Sequence, residues 1–185
     1  MKSIIDVIHS RDYVILDTET TGLHSNAEIC SIAVIDSAGT PLLNTLVKPV
    51  RPIPPDATRV HGITDQHVAS APGFAEIAPQ LRMLLDGQNV VVYNAIYDRK
   101  MLHRSAEAAG LPKIDWKAFS RWYCAMEAFA IVYGEWNEYH GNYRWQRLTT
   151  AATYYGLSTE GAHGALADCL MTLGVVQAMA KENVK

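Results

Sequence analysis

The sequence predicts an α/β domain built on a mixed, five-stranded sheet flanked by helices, and three observations predict it. Three short β-rich runs follow one another in the first quarter of the chain. A β-branched run is then followed at once by a helical pattern, which marks a β-α unit. The second half is helical in period, with one further strand inside it. The 185 residues suit a single domain, 1–185, large enough to bury a core without disulfide or metal staples.

The first run is Tyr13-Val14-Ile15-Leu16, which leads into Asp17-Thr18-Glu19-Thr20-Thr21-Gly22-Leu23. An apolar run bounded by polar residues reads as a central strand covered on both faces. Residues 28–36 and 41–48 flank the turn cluster Ser37-Ala38-Gly39-Thr40 and read as a hairpin, so the three strands make a meander. Residues 49–55 hold too many prolines for a central strand or a helix interior and are expected as an ordered loop or polyproline-like edge. Thr64 is placed to cap a short helix after them. Residues 72–87 carry apolar side chains at helical spacing, from Phe74 through Ile77, Leu81 and Leu85, and stop at Gly87. Residues 89–94 form a strand by their valines. A helix over 98–109 closes at Gly110 and Pro112. A fifth strand is expected over 122–124, a helix over 125–133, a loop over 134–143 and a helix over 148–155. The last helix runs from about 165 to 181, with Leu166, Leu170, Leu173, Val176 and Ala180 on its apolar side.

Composition sets bounds on function. Hydrophobic content of 49% with 19% charged residues is globular, and no stretch approaches the roughly 18–20 apolar residues of a membrane span. The first residues lack the apolar core and small-residue cleavage site of a signal peptide, so the protein is expected in the cytoplasm, with no membrane partner. Cys30, Cys124 and Cys169 are widely separated and show no CxxC spacing, which points to buried thiols. A net charge of −3 does not advertise a nucleic-acid partner. Acids gathered around divalent cations would nonetheless leave a site locally positive, so a polyanionic substrate stays open.

The acids carry the chemical argument. Strand side chains alternate, so Asp17 and Glu19 project to one face and Thr18 to the other. Two carboxylates in so small a volume raise each other's pKa and imply a cation or a shared proton. In open α/β sheets, the carboxyl ends of the strands are also where ligands bind. A strand terminus with two solvated acids accounts for the pair equally well when it is taken alone. Asp98 falls in the first turn of a helix, where the dipole favours a negative charge, and capping accounts for it alone. Asn94 alone is a turn residue. Asp168 lies in the last helix, where a solvated face accounts for it. His163 precedes it by five positions, about 140° away on one continuous helix, and converges with it only from a loop, which Gly161 and Gly164 supply. Jointly these accounts become strained. Asp17, Glu19 and Asp98 end neighbouring strands, and Asp168 joins them if the last helix crosses that edge. Four oxygen ligands suit hard cations such as Mg²⁺ or Mn²⁺. Ions about 3.5–4 Å apart activate water and stabilise the leaving oxygen of a phosphodiester. A histidine with a pKa near 6.5 suits the proton transfer.

These motifs resemble the DnaQ-like, or DEDDh, family of 3′-to-5′ exonucleases on the RNase H-like fold. Residues 17–23 are similar to its first motif, 94–98 to the second and 163–168 to the third, in the family's order, and the resemblance covers roughly residues 13–180. It implies that Asp17, Glu19, Asp98 and Asp168 hold two divalent ions, Mg²⁺ or Mn²⁺, and that His163 is the general base. It also implies that Leu23 wedges against the terminal base, that Thr20 helps seat the terminal nucleotide and that Asn94 belongs to the substrate site. Residues 54–64 resemble a loop of the proofreading and exonuclease X-like branches, in which the positions of Asp56 and His61 lie beside the substrate. Tyr97 stands where the family more often has Phe and adds a hydroxyl.

Aromatic residues crowd the region 116–155, among them Trp116, Trp122, Tyr123, Trp136, Tyr139, Tyr143 and Trp145, with Arg121, Arg144 and Arg147 nearby. Such a set suits stacking on unpaired bases, while core packing accounts for Trp122. The expected partner is a nucleic acid with a free 3′ end, single-stranded in preference, and the exonuclease X-like loop tilts the reading to DNA over RNA. An oligoribonucleotide exonuclease, a non-catalytic binding subunit and a polymerase-associated subunit are the rivals. Retention of all four acids and His163 argues against the second. Against the third stands the absence of a tethering tail before Lys185, so a free-standing enzyme, with a homodimer allowed, is expected.

Overall fold

The computed structural model describes residues 3–182. Five strands form its main sheet: β1 (Val14–Thr20), β2 (Ile29–Asp36), β3 (Pro41–Leu46), β4 (Asn89–Val92) and β5 (Arg121–Cys124). Their order is β3-β2-β1-β4-β5, antiparallel among the first three and parallel from β1 through β4 to β5. The run that reads as a central strand is therefore central, paired on both edges. A second, two-stranded sheet is the hairpin β6 (Trp136–Asn137) and β7 (Asn142–Tyr143). The helices are α1 (Ile4–Ser10), α2 (Pro55–His61), α3 (Asp65–Val68), α4 (Phe74–Leu85), α5 (Ala95–Ala108), α6 (Trp116–Phe119), α7 (Ala125–Tyr133), α8 (Leu148–Tyr154) and α9 (Ala165–Glu182).

Alternation along β1 sorts the core into two layers. Tyr13 and Ile15 pack with α1, α7, α8 and α9, whereas Val14 and Leu16 pack with α4 and α5. The end of β1 is thus sandwiched between the first turns of α9 and α5. Asp17 and Glu19 continue the α9 side and Thr18 the α5 side. A register shift between Glu19 and Thr20 breaks the regular pairing with β2 within the polar motif.

Several elements depart from the sequence reading, each for a physical reason. Residues 55–61 are helical because Pro55 stands at the first helical position, where a missing N–H costs nothing. Thr64 caps α3 as expected, accepting from the His67 amide. The amino-terminal α1 is set by a Ser3–Asp6 capping box that the sequence reading passes over. Residues 134–143, read as loop, contain the β6–β7 hairpin. Leu170, placed on the apolar side of the last helix, is 46% exposed. Leu173, Val176 and Ala180 of the expected side are buried, together with Ala165, Cys169, Met171, Thr172, Val175 and Met179. Small side chains at its start let the helix approach the sheet closely, which leaves the larger leucine at the margin.

Trp116 is fully buried in the α4–α5 layer, and Tyr123 lies in the opposite one, so both belong to the core. Trp122 packs at its edge, its indole N–H donating to the Ser120 hydroxyl at 2.9 Å. The three cysteines are unpaired, with Cys30 and Cys169 buried. Among the described residues no helix is long and apolar enough to cross a membrane.

Candidate active site

The end of β1 gathers the acids from three directions. Carboxylate oxygens of Asp17, Glu19 and Asp168 lie within 4.8 Å of one another. Asp98 approaches from the α5 side, where the Thr18 hydroxyl donates to its Oδ1 at 2.7 Å, a buried bond across 80 residues of sequence. Asp98 does not cap its own helix. Asn94 caps α5, its side chain accepting from the Tyr97 amide, and this frees the Asp98 carboxylate to face β1.

The electrostatics follow from crowding and dehydration. Burial first, then the charges of Asp98, Asp168 and Glu19, hold Asp17 well above the usual carboxylate range. Burial, reinforced by Asp168 and Asp98, pushes Glu19 up to about 7. Burial takes Asp98 to about 7 although the Thr18 hydroxyl pulls the other way. Asp168 is raised by burial and partly relieved by the amide and ring of His163. The ion pairs of the described residues, Arg51–Glu28, Arg59–Asp56 and Arg144–Glu135, leave all four acids without a cationic side chain. Such a cluster is the donor set that a hard divalent cation takes, and it is costly without one.

His163 joins the acids from a turn. Its φ of 69° is left-handed, a conformation that histidine tolerates better than most residues. The bend sets its amide 3.3 Å from Asp168 Oδ1, donating to it, and leaves the ring exposed. Five positions of sequence are bridged because α9 starts only at Ala165, so His163 stands outside the helix.

Two cavities of about 560 Å³ each flank the acids, and Leu23 and Tyr97 line both. Leu23 is 84% exposed and stands between them. The first cavity is walled by Glu19, Ala57, Val60 and His61, the second by Asn94, Trp145, Arg147, His163 and Asp168. Asp56 lines the first from an exposed position and pairs with Arg59. His61 is braced: its Nδ1 accepts from the Ile63 amide at 3.0 Å, which puts the proton on Nε2, 3.2 Å from the Thr20 carbonyl. Burial lowers its pKa, so the neutral ring is the stable form. The Thr20 hydroxyl points into the protein, towards Tyr97 and the Gly22 carbonyl.

Two contributors escape sequence reading. Thr18 looks like a strand spacer between two acids, yet it orients Asp98. Glu28 looks like the edge of a strand, yet it is buried and its carboxylate accepts from the amides of Val50 and Arg51 and from the Arg51 guanidinium. Its backbone pairs with Thr21 in both directions. Glu28 thereby fastens the proline-rich segment beneath the 17–23 motif. An acid placed directly before an apolar run carries no mark of such a role in the sequence.

Comparisons with known proteins identify the family. The family model RNase_T, described as an exonuclease, matches residues 14–176. The chain is 46% identical over 173 residues to the uncharacterized exonuclease CP81 of Escherichia phage 186, covering 92% of this chain and 89% of that protein. It is 27% identical over 177 residues to the DNA polymerase III subunit epsilon of Treponema pallidum, covering 94% and 78%. Among solved structures, exonuclease X in complex with 5′ overhanging duplex DNA superimposes with a TM-score of 0.68 at 26% identity, over 92% of this chain and 93% of that one. With its mixed five-stranded sheet on the RNase H-like plan and its match across residues 14–176, the chain belongs to the DnaQ-like exonuclease family.

Proposed function

We propose that this chain is a DEDDh 3′-to-5′ exonuclease, a single unit over residues 1–185, that removes nucleotides from the 3′ end of single-stranded DNA as 5′-monophosphates. The observation that carries the reading is the convergence of Asp17, Glu19 and Asp168 oxygens within 4.8 Å, with no cationic side chain paired to them among the described residues. These three and Asp98 would hold two Mg²⁺ or Mn²⁺ ions. When bound, the ions supply positive charge that polarises the scissile phosphate and makes water a better nucleophile.

The remaining roles belong to the chain. Leu23 splays the last two bases apart, one into each cavity. The braced His61, with Val60 and Ala57, forms the wall for the terminal nucleotide, and Asp56 stands at its rim. Thr20 holds the turn that carries Leu23, and Asn94 holds the helix end that carries Asp98. His163 takes the proton as the water oxygen bonds to phosphorus. The bond from phosphorus to O3′ breaks, solvent returns a proton to O3′, and the shortened strand keeps a 3′-hydroxyl. DNA is preferred over RNA because the exonuclease X-like structure is a DNA complex.

Degradation of 5′-labelled single-stranded DNA, duplex DNA and RNA, with Mg²⁺ or EDTA, tests this on wild type and Asp17→Ala. A ladder shortening from the 3′ end on single-stranded DNA, abolished by EDTA and by the substitution, is the expected result. Equal activity in the variant sinks the metal assignment. Faster loss of the RNA reassigns the substrate.

A further inference from the structure

We infer that the β6–β7 hairpin and Trp145 form a stacking track for the bases that precede the 3′ terminus. The inference rests on the exonuclease reading and extends its site outward along the strand.

The hairpin lies between α7 and α8. Strands of two residues have little stability of their own, so side chains must hold them. The ring of Trp136 meets Tyr143 edge to face at 5.1 Å, and Arg144 pairs with Glu135 at 3.1 Å across the base. Gln146 donates from Nε2 to the same glutamate, and its carbonyl accepts from the Tyr93 hydroxyl at 2.9 Å, which ties the base of the hairpin to the sheet. The hairpin is thus held in place from its base, while its upper rings contribute little to the core. Tyr139 at the tip is 91% exposed, Trp136 52% and Trp145 57%.

Position and charge identify the occupant. Trp145 lines the same cavity as His163 and Asp168, so the aromatic series starts at the proposed site and follows the chain back to the hairpin. Trp145 lies six positions after Tyr139, a path of at most roughly 20 Å. That length matches several stacked or partly extended nucleotides rather than one. Within the hairpin Arg144 cancels Glu135 and Glu138 remains, so this surface does not attract phosphates. Its rings would bind bases by their faces, a mode indifferent to sequence. Arg147, exposed at the base and in no ion pair among the described residues, is the group left for a phosphate. An unpaired strand fits this division of labour, because a duplex hides its base faces.

The test uses the full chain with Tyr139→Ala and Trp136→Ala. Kinetics on a dinucleotide and on an oligothymidylate of about ten residues give the ratio of kcat/KM for long over short substrate. Intrinsic tryptophan emission, titrated with the long oligonucleotide in EDTA, reports binding without turnover. The expected results are a ratio that falls on the order of ten-fold per ring removed, quenching in wild type, and an unaltered slope of affinity against salt. Tyr139→Ala keeps the test sound if loss of Trp136 unfolds the hairpin, since the tip ring is 91% exposed and its ring contact is with the neighbouring His140. An unchanged ratio overturns the track, as does a steeper or shallower salt slope. A change in elution volume alone would overturn it in favour of a second copy of the chain. Wild type that quenches with the strand without shortening it overturns the exonuclease reading and keeps the track. Shortening with neither quenching nor length dependence does the reverse.

Discussion

The Tyr97 hydroxyl lies 2.6 Å from Thr20 Oγ1 and donates to the Gly22 carbonyl at 3.1 Å, joining two motifs 77 residues apart. The Thr20 hydroxyl also lies 3.2 Å from the Gly22 carbonyl, so two hydroxyl protons fasten three oxygens. Gly22 itself has a φ of 138°, which other residues adopt only under strain, and Leu23 projects from the turn it makes. Tyr97→Phe keeps the ring in both cavity walls and removes the fastening. Loss of one such hydrogen bond should cost about 1 kcal/mol in urea unfolding. For activity the expected result is a KM raised several-fold with kcat little changed, because the wedge moves while the acids stay. An unchanged KM would show that the turn holds itself.

The acid cluster predicts an unusual dependence of stability on pH in the absence of metal. A glutamate titrates near 4.3 when unfolded, and Glu19 is pushed up to about 7 in the fold by burial and by the charges of Asp168 and Asp98. Between those values the folded state binds more protons than the unfolded state. Stability therefore falls as pH rises through that window. Asp17 and Asp98 shift in the same direction. In EDTA the urea midpoint should drop from about pH 5 to about pH 8, by a few kcal/mol of stability at most. Asp17→Asn should flatten the profile. Mg²⁺ should restore stability at the upper pH and do little at the lower, because cations bind the deprotonated acids. A midpoint that is flat or rises with pH in EDTA would show that the acids are not crowded in solution.

Which parts of this were legible in the sequence follows from the range of the interactions. Alternation alone put Asp17 and Glu19 on one face, and turn chemistry put His163 outside α9, because both are local. Residues 125–133 read as a helix and are one, since a β-strand end and Gly134 punctuate them. The use of Thr18 by Asp98 was invisible, because a threonine between acids carries no mark of a partner 80 residues away. Capping was legible as a role but went to the wrong residue: it belongs to Asn94, and only the packing of α5 against β1 decides that. Helical spacing places Leu170 on the apolar side of α9, yet it is 46% exposed, because the face that approaches the sheet is centred on the small Ala165 and Cys169. The β6–β7 hairpin depends on ring contacts across the turn, which no period in so short a stretch can announce.

His163 offers a test in which backbone and chemistry are separable. Its left-handed φ of 69° means that alanine would add strain to the loss of the ring, on the order of 1 kcal/mol. Asparagine adopts that conformation readily. His163→Asn should therefore keep the turn, the amide contact to Asp168 and the approach of α9. Removing a general base from a poised site costs 10²–10⁴-fold in rate, and kcat is expected to fall in that range with KM nearly unchanged. Stabilisation of the variant by Mg²⁺, read as the shift in urea midpoint at about pH 8, should match wild type. Loss of that shift would make His163 a ligand to the ion. A rate within a few-fold of wild type would give the proton to another acceptor, and the neutral, braced His61 is too committed to Thr20 and Ile63 to serve.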